Sequence, residues 1–217
     1  MNCLRTKDSV KVSKYVSGRM KRVFDTTLAM MLLVISAPVM IVVALAVSFT
    51  GLPVIYSHSR VGRGGVEFSC LKFRTMVNNA DEVLSELLSS DDNIRKQWEL
   101  ERKIRSDPRV TKVGAWLRKT SLDELPQLFN VVKGDMSLVG PRPVTKGELI
   151  KYGLMSSNYL ACRPGLTGLW QVSGRSEVDY RERVSMDAKY SLEATLVKDL
   201  SILVRTVGVV IRRSGAY

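Results

Sequence analysis

Two stretches of the chain collect side chains suited to acting on a phosphate. The first, WLRKTSLDELPQLFNVVKGDMSLVGPRP at 116–143, holds the adjacent acids Asp123 and Glu124. Arg118 and Lys119 precede them, and Arg142 closes the stretch between Pro141 and Pro143. Ser121 and Glu124 have the spacing of a capping box, so a helix is predicted to start there, with Pro126 tolerable only near that start. In its first turn both acids would feel the positive end of the helix dipole, which favours their ionised forms. Acids at helix starts are common, and capping by itself would explain the pair. The neighbours point further: an arginine fixed between prolines loses little entropy and suits bidentate phosphate binding.

The second stretch, RPGLTGLWQVSGR at 163–175, repeats the arginine–proline pairing at Arg163-Pro164. It places Trp170 and Gln171 in a glycine-rich connection and ends on Arg175, a further arginine on a predicted loop. By itself it reads as an aromatic packed in a turn. Asp199 falls beside the apolar stripe of the C-terminal segment, and an inward carboxylate needs a cation or a metal; Asp187 could join the same site. A structural ion pair explains these two acids equally well.

Composition narrows the chemistry. The only histidine is His58, which excludes zinc clusters built on several histidines and would force any histidine triad through one residue. Cys3, Cys70 and Cys162 are odd in number and widely spaced, so they read as free thiols of a reducing compartment. What remains is carboxylates, arginines, lysines and a cation held by oxygen. Mg²⁺ fits this set because it bridges carboxylate to diphosphate, and an ionised aspartate can attack phosphorus.

These groups must be positioned by a chain of 217 residues, long enough for a sizeable core. Residues 28–47 are apolar at all positions except Ser36 and Pro38, about the length needed to cross a bilayer as a helix. Seven cations against Asp8 precede it within residues 1–24, and Arg60, Arg63, Lys72 and Arg74 follow it. Positive charge on both flanks places both ends in the cytoplasm, which favours a helix that bends at Ser36-Pro38 and leaves on the side it entered; an ordinary kinked spanning helix stands level with it. The expected organisation is a basic tail over 1–24, a membrane helix over 25–50, re-entrant or spanning, and a cytosolic catalytic domain over 54–217. Within the last, 54–61 and 66–73 form a hairpin about Gly62-Arg63-Gly64-Gly65, which lacks the lysine–serine pair of a phosphate loop. Amphipathic helices follow at 80–88 and on to about 104, and another at 196–213 has Leu196, Leu200, Leu203, Val207 and Val210 on one stripe. The fold class is α/β, mostly α: a small membrane protein, which the resemblance below makes monotopic. A net charge of +12 invites a nucleic-acid reading, but half of it lies before the membrane segment, as for a juxtamembrane anchor, so no nucleic acid is expected.

Lys21-Arg22-Val23-Phe24-Asp25, LKFRTM at 71–76, SLDELPQLFNVVKGDMSLVGPRP at 121–143, RPGLTGLWQVSGR at 163–175 and DLSIL at 199–203 together resemble the bacterial sugar transferases. These are the monotopic polyprenyl-phosphate phosphoglycosyl transferases that begin exopolysaccharide, capsule and O-antigen assembly. The likeness covers about residues 20–217 and is strongest to the short, catalytic-domain-only galactosyl-phosphate transferases of exopolysaccharide production. It implies transfer of a sugar-1-phosphate, galactose first and glucose next, from a UDP-sugar to undecaprenyl phosphate. Asp123 would be the nucleophile, UMP the leaving group and Glu124 the second acid of the dyad, the two also holding Mg²⁺. Arg142, Pro143 and Arg175 would meet nucleotide or phosphates; Lys72, Arg74, Arg118, Asp187 and Asp199 are further site candidates. Ser36 and Pro38 would shape the membrane bend, although the family's direct Ser-Pro is here split by Ala37. The implied setting is the cytoplasmic face of the bacterial inner membrane, in contact with its lipid and compatible with a homodimer. A scaffold or regulator of polysaccharide assembly, and a conventional glycosyltransferase that releases UDP, are the competing readings.

Overall fold

The structure, a computed structural model, describes residues 12–101, 104, 107–174 and 178–212. A one-turn helix α1 (Lys14–Ser17) leads into α2 (Arg19–Ser48), which takes up the apolar run and continues through Pro38. It starts upstream of residue 25 because Lys21 and Asp25, one turn apart, pair inside the protein. Only 11% of its most apolar window is buried; Met31, Val34, Ile35, Ile41, Val42 and Leu45 all face outward. So much exposed apolar surface on one helix is unfavourable in water and fits a lipid surround. The Ser36 hydroxyl approaches the Met40 thioether at 3.6 Å.

The chain forms two compact units, and the division falls inside α2, between Ile35 and Ser36. The larger unit takes the described residues up to Ile35, Ser57–Leu71 and those from Gln127 onward. It holds most of the expected hairpin, β1 (Ile55–Val61) with β2 (Glu67–Phe73), turned by a 3-10 segment in which Gly64 and Gly65 take φ of +70° and +84°. The glycines serve the turn, as their spacing implied. Beyond it lie α6 (Gln127–Lys133), β3 (Ser137–Val139), α7 (Lys146–Ile150), α8 (Ser156–Ala161), β4 (Gly165–Thr167), α9 (Tyr180–Glu193) and α10 (Leu196–Arg212). Val61, Val144, Tyr152, Tyr159 and Val184 form a core cluster, with the Tyr159 hydroxyl donating to the Val61 carbonyl at 2.7 Å.

β3 and β4 pair in parallel, Ser137 opposite Gly165 and Val139 opposite Thr167. Just past β3, the backbone of Gly140 lies so close to Gly165 that a Cβ on either would overlap the other's main chain, at 2.1 Å from the Gly140 nitrogen. The two arginine–proline stretches are therefore clasped backbone to backbone, which is what their glycines permit.

The smaller unit comprises Ser36–Tyr56 and Lys72–Pro126. It contains the second half of α2, α3 (Ala80–Ser90), α4 (Asp92–Glu101) and α5 (Lys112–Thr120), the first two matching the amphipathic helices expected there. Val43 and Val47 of α2 pack on Phe73 and Leu117. α5 seats against the Thr75 backbone, where a Cβ at Gly114 would lie 2.0 Å from the Thr75 carbonyl oxygen.

Candidate active site

The acid pair sits on a break between helices. Ser121 ends α5 in the left-handed conformation, φ +58°, its N–H bonded to the Arg118 and Leu117 carbonyls. Leu122–Glu124 then make one 3-10 turn, and α6 starts only at Gln127. The helix predicted to begin at Ser121 is thus absent, and the Ser121 side chain makes no cap hydrogen bond. Leu125 keeps right-handed helical angles, φ −53° and ψ −36°, yet the regular helix begins only after Pro126, whose ring nitrogen has no N–H to give to an earlier carbonyl. A left-handed serine costs roughly 1–2 kcal/mol, the kind of local strain that gathers at functional sites.

This turn directs Asp123 inward, to 8% exposure. The Lys72 ammonium, from the end of β2, lies 2.6 Å from Glu124 Oε1 and 3.8 Å from Asp123 Oδ2. Arg118 donates Nε to the Thr75 hydroxyl at 3.0 Å, and its charge acts on Asp123. Burial holds the Asp123 carboxyl above the usual carboxylate range; Lys72 pulls it back, Glu124 pushes it up further and Arg118 again lowers it. The smaller unit therefore brings Asp123, Glu124, Lys72 and Arg118 together: a desolvated carboxylate beside two cations.

Arg74 goes elsewhere. Its side chain is buried, with Nη2 donating to the carbonyls of Gly51 and Val47 and to the Thr50 hydroxyl. It thereby caps the C-terminal end of α2, where the helix dipole favours a cation.

In the larger unit Arg142 is exposed, with Pro143 half-buried beside it. The Arg142 guanidinium lies 5.9 Å from the centre of the Trp170 ring, and that of Arg183 lies 4.8 Å from the same ring. Arg183 was not foreseen; it sits in α9 without a motif around it. Asp187 is fully buried and accepts from the Tyr152 hydroxyl at 2.8 Å, while its Oδ1 makes no hydrogen bond among the described residues. Burial pushes its carboxyl up to about 8, against the pull of Tyr152 and Arg142.

Asp199 does not share that site. It accepts from Lys21 at 2.7 Å, Tyr190 at 2.7 Å and Tyr15 at 3.0 Å. Lys21 also reaches Asp25, which accepts from the Ser137 hydroxyl at 2.7 Å and the Leu138 N–H at 3.3 Å. The inward carboxylate has found a lysine, and the network ties α2 to α10 and β3. Arg175 lies outside the described residues.

Among the described residues no group of three or more His, Cys, Asp or Glu side chains is placed to hold a metal. Asp123 and Glu124 still form an adjacent oxygen pair, and Mg²⁺ commonly takes one or two carboxylates and fills its remaining positions with water and substrate phosphate.

Comparison with known proteins shows the family. A family model described as bacterial sugar transferase matches residues 16–213, from α1 to the end of α10. The chain belongs to the bacterial sugar transferase family. Among sugar transferases, it is 53% identical over 206 residues to the undecaprenyl-phosphate galactose phosphotransferase of Salmonella typhimurium, covering 95% of this chain and 43% of that protein. It is 46% identical over 203 residues to the exopolysaccharide production protein ExoY of Rhizobium meliloti, covering 93% of this chain and 90% of that one. It is also 39% identical over 206 residues to a UDP-glucose:undecaprenyl-phosphate glucose-1-phosphate transferase of Caulobacter vibrioides, covering 91% of this chain and 72% of that protein. The chain thus spans less than half of the Salmonella transferase.

Proposed function

We propose that this protein transfers a sugar-1-phosphate from a UDP-sugar to undecaprenyl phosphate at the inner face of the bacterial cytoplasmic membrane. The observation that carries the reading is Asp123: a buried carboxylate beside Lys72 and Arg118, on a strained turn. Desolvation raises the nucleophilicity of a carboxylate, and the two cations draw the diphosphate of a donor towards it.

In the reaction an Asp123 carboxylate oxygen attacks the β-phosphorus of the UDP-sugar. The bond from that phosphorus to the bridging oxygen breaks, and UMP leaves with the electron pair. The sugar-phosphoryl group is then held on Asp123. An oxygen of undecaprenyl phosphate attacks the same phosphorus, the bond to Asp123 breaks, and the free carboxylate returns with release of the sugar-diphospho-lipid. Lys72 offsets negative charge at the dyad throughout, and the Thr75 hydroxyl, accepting from Nε, holds Arg118 in place. Asp123 and Glu124 would hold Mg²⁺ together with the donor phosphates; a bound cation there lowers charge repulsion at phosphorus. Galactose is the proposed sugar, following the Salmonella relative's name, with glucose next.

Purified protein in lipid particles, given Mg²⁺, undecaprenyl phosphate and a panel of UDP-sugars, is expected to release UMP from one donor. Asp123→Asn should release none and carry no phosphosugar by intact-mass measurement. UDP release would assign a conventional glycosyltransferase, and an active Asp123→Asn would remove the nucleophile.

A further inference from the structure

The smaller unit carries an apolar groove of about 340 Å³ with no place in the chemistry above. It is lined by Val43 and Ala46 of α2 and by Lys112, Val113, Trp116 and Leu117 of α5. The volume lies within the range of small-ligand pockets, about 300–1,000 Å³. Its floor is fixed, because Val43 and Leu117 belong to the buried cluster of that unit. Its wall is not closed by protein: Trp116 is 51% exposed, and the neighbouring α2 residues Val42 and Leu45 face outward.

We propose that this groove holds a segment of the isoprenoid chain of the lipid acceptor. Three observations select that occupant, resting on the transfer reaction proposed above. First, the groove is continuous with the exposed apolar face of α2, so a chain can enter from the hydrocarbon without crossing water. Second, α5 leads directly to the reacting carboxylate: Trp116 lies four residues, about 6 Å of helix, before its end at Thr120, and the Ser121 turn follows. A chain lying along α5 therefore presents its phosphate towards Arg118, Lys72 and the acid pair. Third, the wall chemistry suits an amphiphile held at membrane level. The indole of Trp116 offers a flat face to a planar isoprene unit, and Lys112 can keep its ammonium in the headgroup layer. Ala46 is the smallest lining side chain and sets how deep the chain can lie.

The test uses the full chain in lipid nanodiscs and a polyprenyl phosphate bearing a diazirine in its isoprenoid chain. Photolysis followed by peptide mass spectrometry should place the adduct on 43–46 or 112–117. Unlabelled polyprenyl phosphate should displace it and phosphatidylglycerol should not. Equal displacement by phosphatidylglycerol, or adducts only at other sites, overturns the proposal. In parallel, Ala46→Phe should cut the preference for a 55-carbon over a 10-carbon prenyl phosphate, read as the ratio of kcat/KM values, about tenfold, while Asp123→Asn abolishes turnover of both. An unchanged ratio counts against the groove. The crosslink is read without turnover, so absence of UMP release would sink the proposed reaction and leave the groove to be judged by the adduct.

Discussion

At the scale of single residues, Asp123 is a carboxylate held at a cost. Burial disfavours its charge, and Lys72 and Arg118 return only part of that. The folded protein consequently holds the Asp123 proton more tightly than the unfolded chain does. Its contribution to stability is present below the ordinary carboxylate pKa and is lost as pH rises through the folded value. At neutral pH the ionised side chain is a net burden, so Asp123→Asn should melt at a higher temperature than the wild type while losing all transfer, a trade common at active sites. Scanning calorimetry at pH 7 checks this, and a lower midpoint would mean that the carboxylate is structural. Lys72 gives a second test at the same scale. Attack requires the ionised acid, so the acid limb of the pH–rate profile should lie above the usual carboxylate range. Lys72→Met removes the cation that lowers Asp123, and the limb should move to higher pH. The plateau of kcat/KM should fall about 100-fold, the loss typical of one charge-stabilising group. A lower plateau with an unmoved limb would confine Lys72 to substrate binding.

At the scale of elements, the buried Lys21–Asp25–Asp199 network joins helices far apart in the chain: Lys21 and Asp199 are 178 residues apart and both almost wholly buried. One lysine between two carboxylates makes it the indispensable member. Lys21→Met would leave both acids uncompensated and should cost about 3–5 kcal/mol. For a chain of this size that is a fall of roughly 10 °C in midpoint. Restoring charge balance with Lys21→Met/Asp25→Asn/Asp199→Asn should recover part of the loss. No recovery would mean that packing of the lysine stem, not its charge, holds the elements together. The network also shows what the sequence could and could not reveal. Asp199 was visible as an acid on the wrong face of an amphipathic helix, but its partner could not be found by local spacing. Periodicity placed the buried side of α10 only in part: Leu196, Leu203 and Val210 of the predicted stripe are half-buried, Leu200 and Val207 face outward, and Asp199 and Ile202 face in. The helix carries apolar residues on more than one side, and a 3.6-residue period cannot tell which side the core takes. The hairpin was readable because its glycines and flanking β-branched residues agree. The turn at Ser121 was not, because a serine followed three residues later by glutamate reads as a helix start wherever it occurs, and only the preceding helix, ending at Thr120, turns it into a stop.

At the scale of the whole molecule, the chain places an apolar helix between two basic flanks. α2 has 30 residues, about 45 Å at 1.5 Å per residue, enough to cross a hydrocarbon layer of about 30 Å. Crossing would put either the cations before it or Arg60, Arg63, Lys72 and Arg74 after it on the far side, against the preference of cations for the cytoplasmic side. Under the proposed reaction the Lys72 ammonium, which sits on the acid pair, would share the compartment that supplies the nucleotide donor. If the basic N-terminal flank is drawn to the same anionic leaflet, both ends of α2 would under that proposal lie in the cytoplasm, and Pro38, which removes one helical hydrogen bond near the middle of the apolar run, is where the helix would turn back. Exposed single cysteines at Ser17→Cys and Ser57→Cys, in a background with Cys3, Cys70 and Cys162 replaced by alanine, test this directly. In intact spheroplasts a membrane-impermeant maleimide should label neither position, and both should label after permeabilisation. Labelling of one position in intact cells would establish a spanning helix, and Pro38→Ala should then leave the pattern unchanged. If α2 is re-entrant, Pro38→Ala should expose one flank to the external reagent, because a helix relieved of its break can cross.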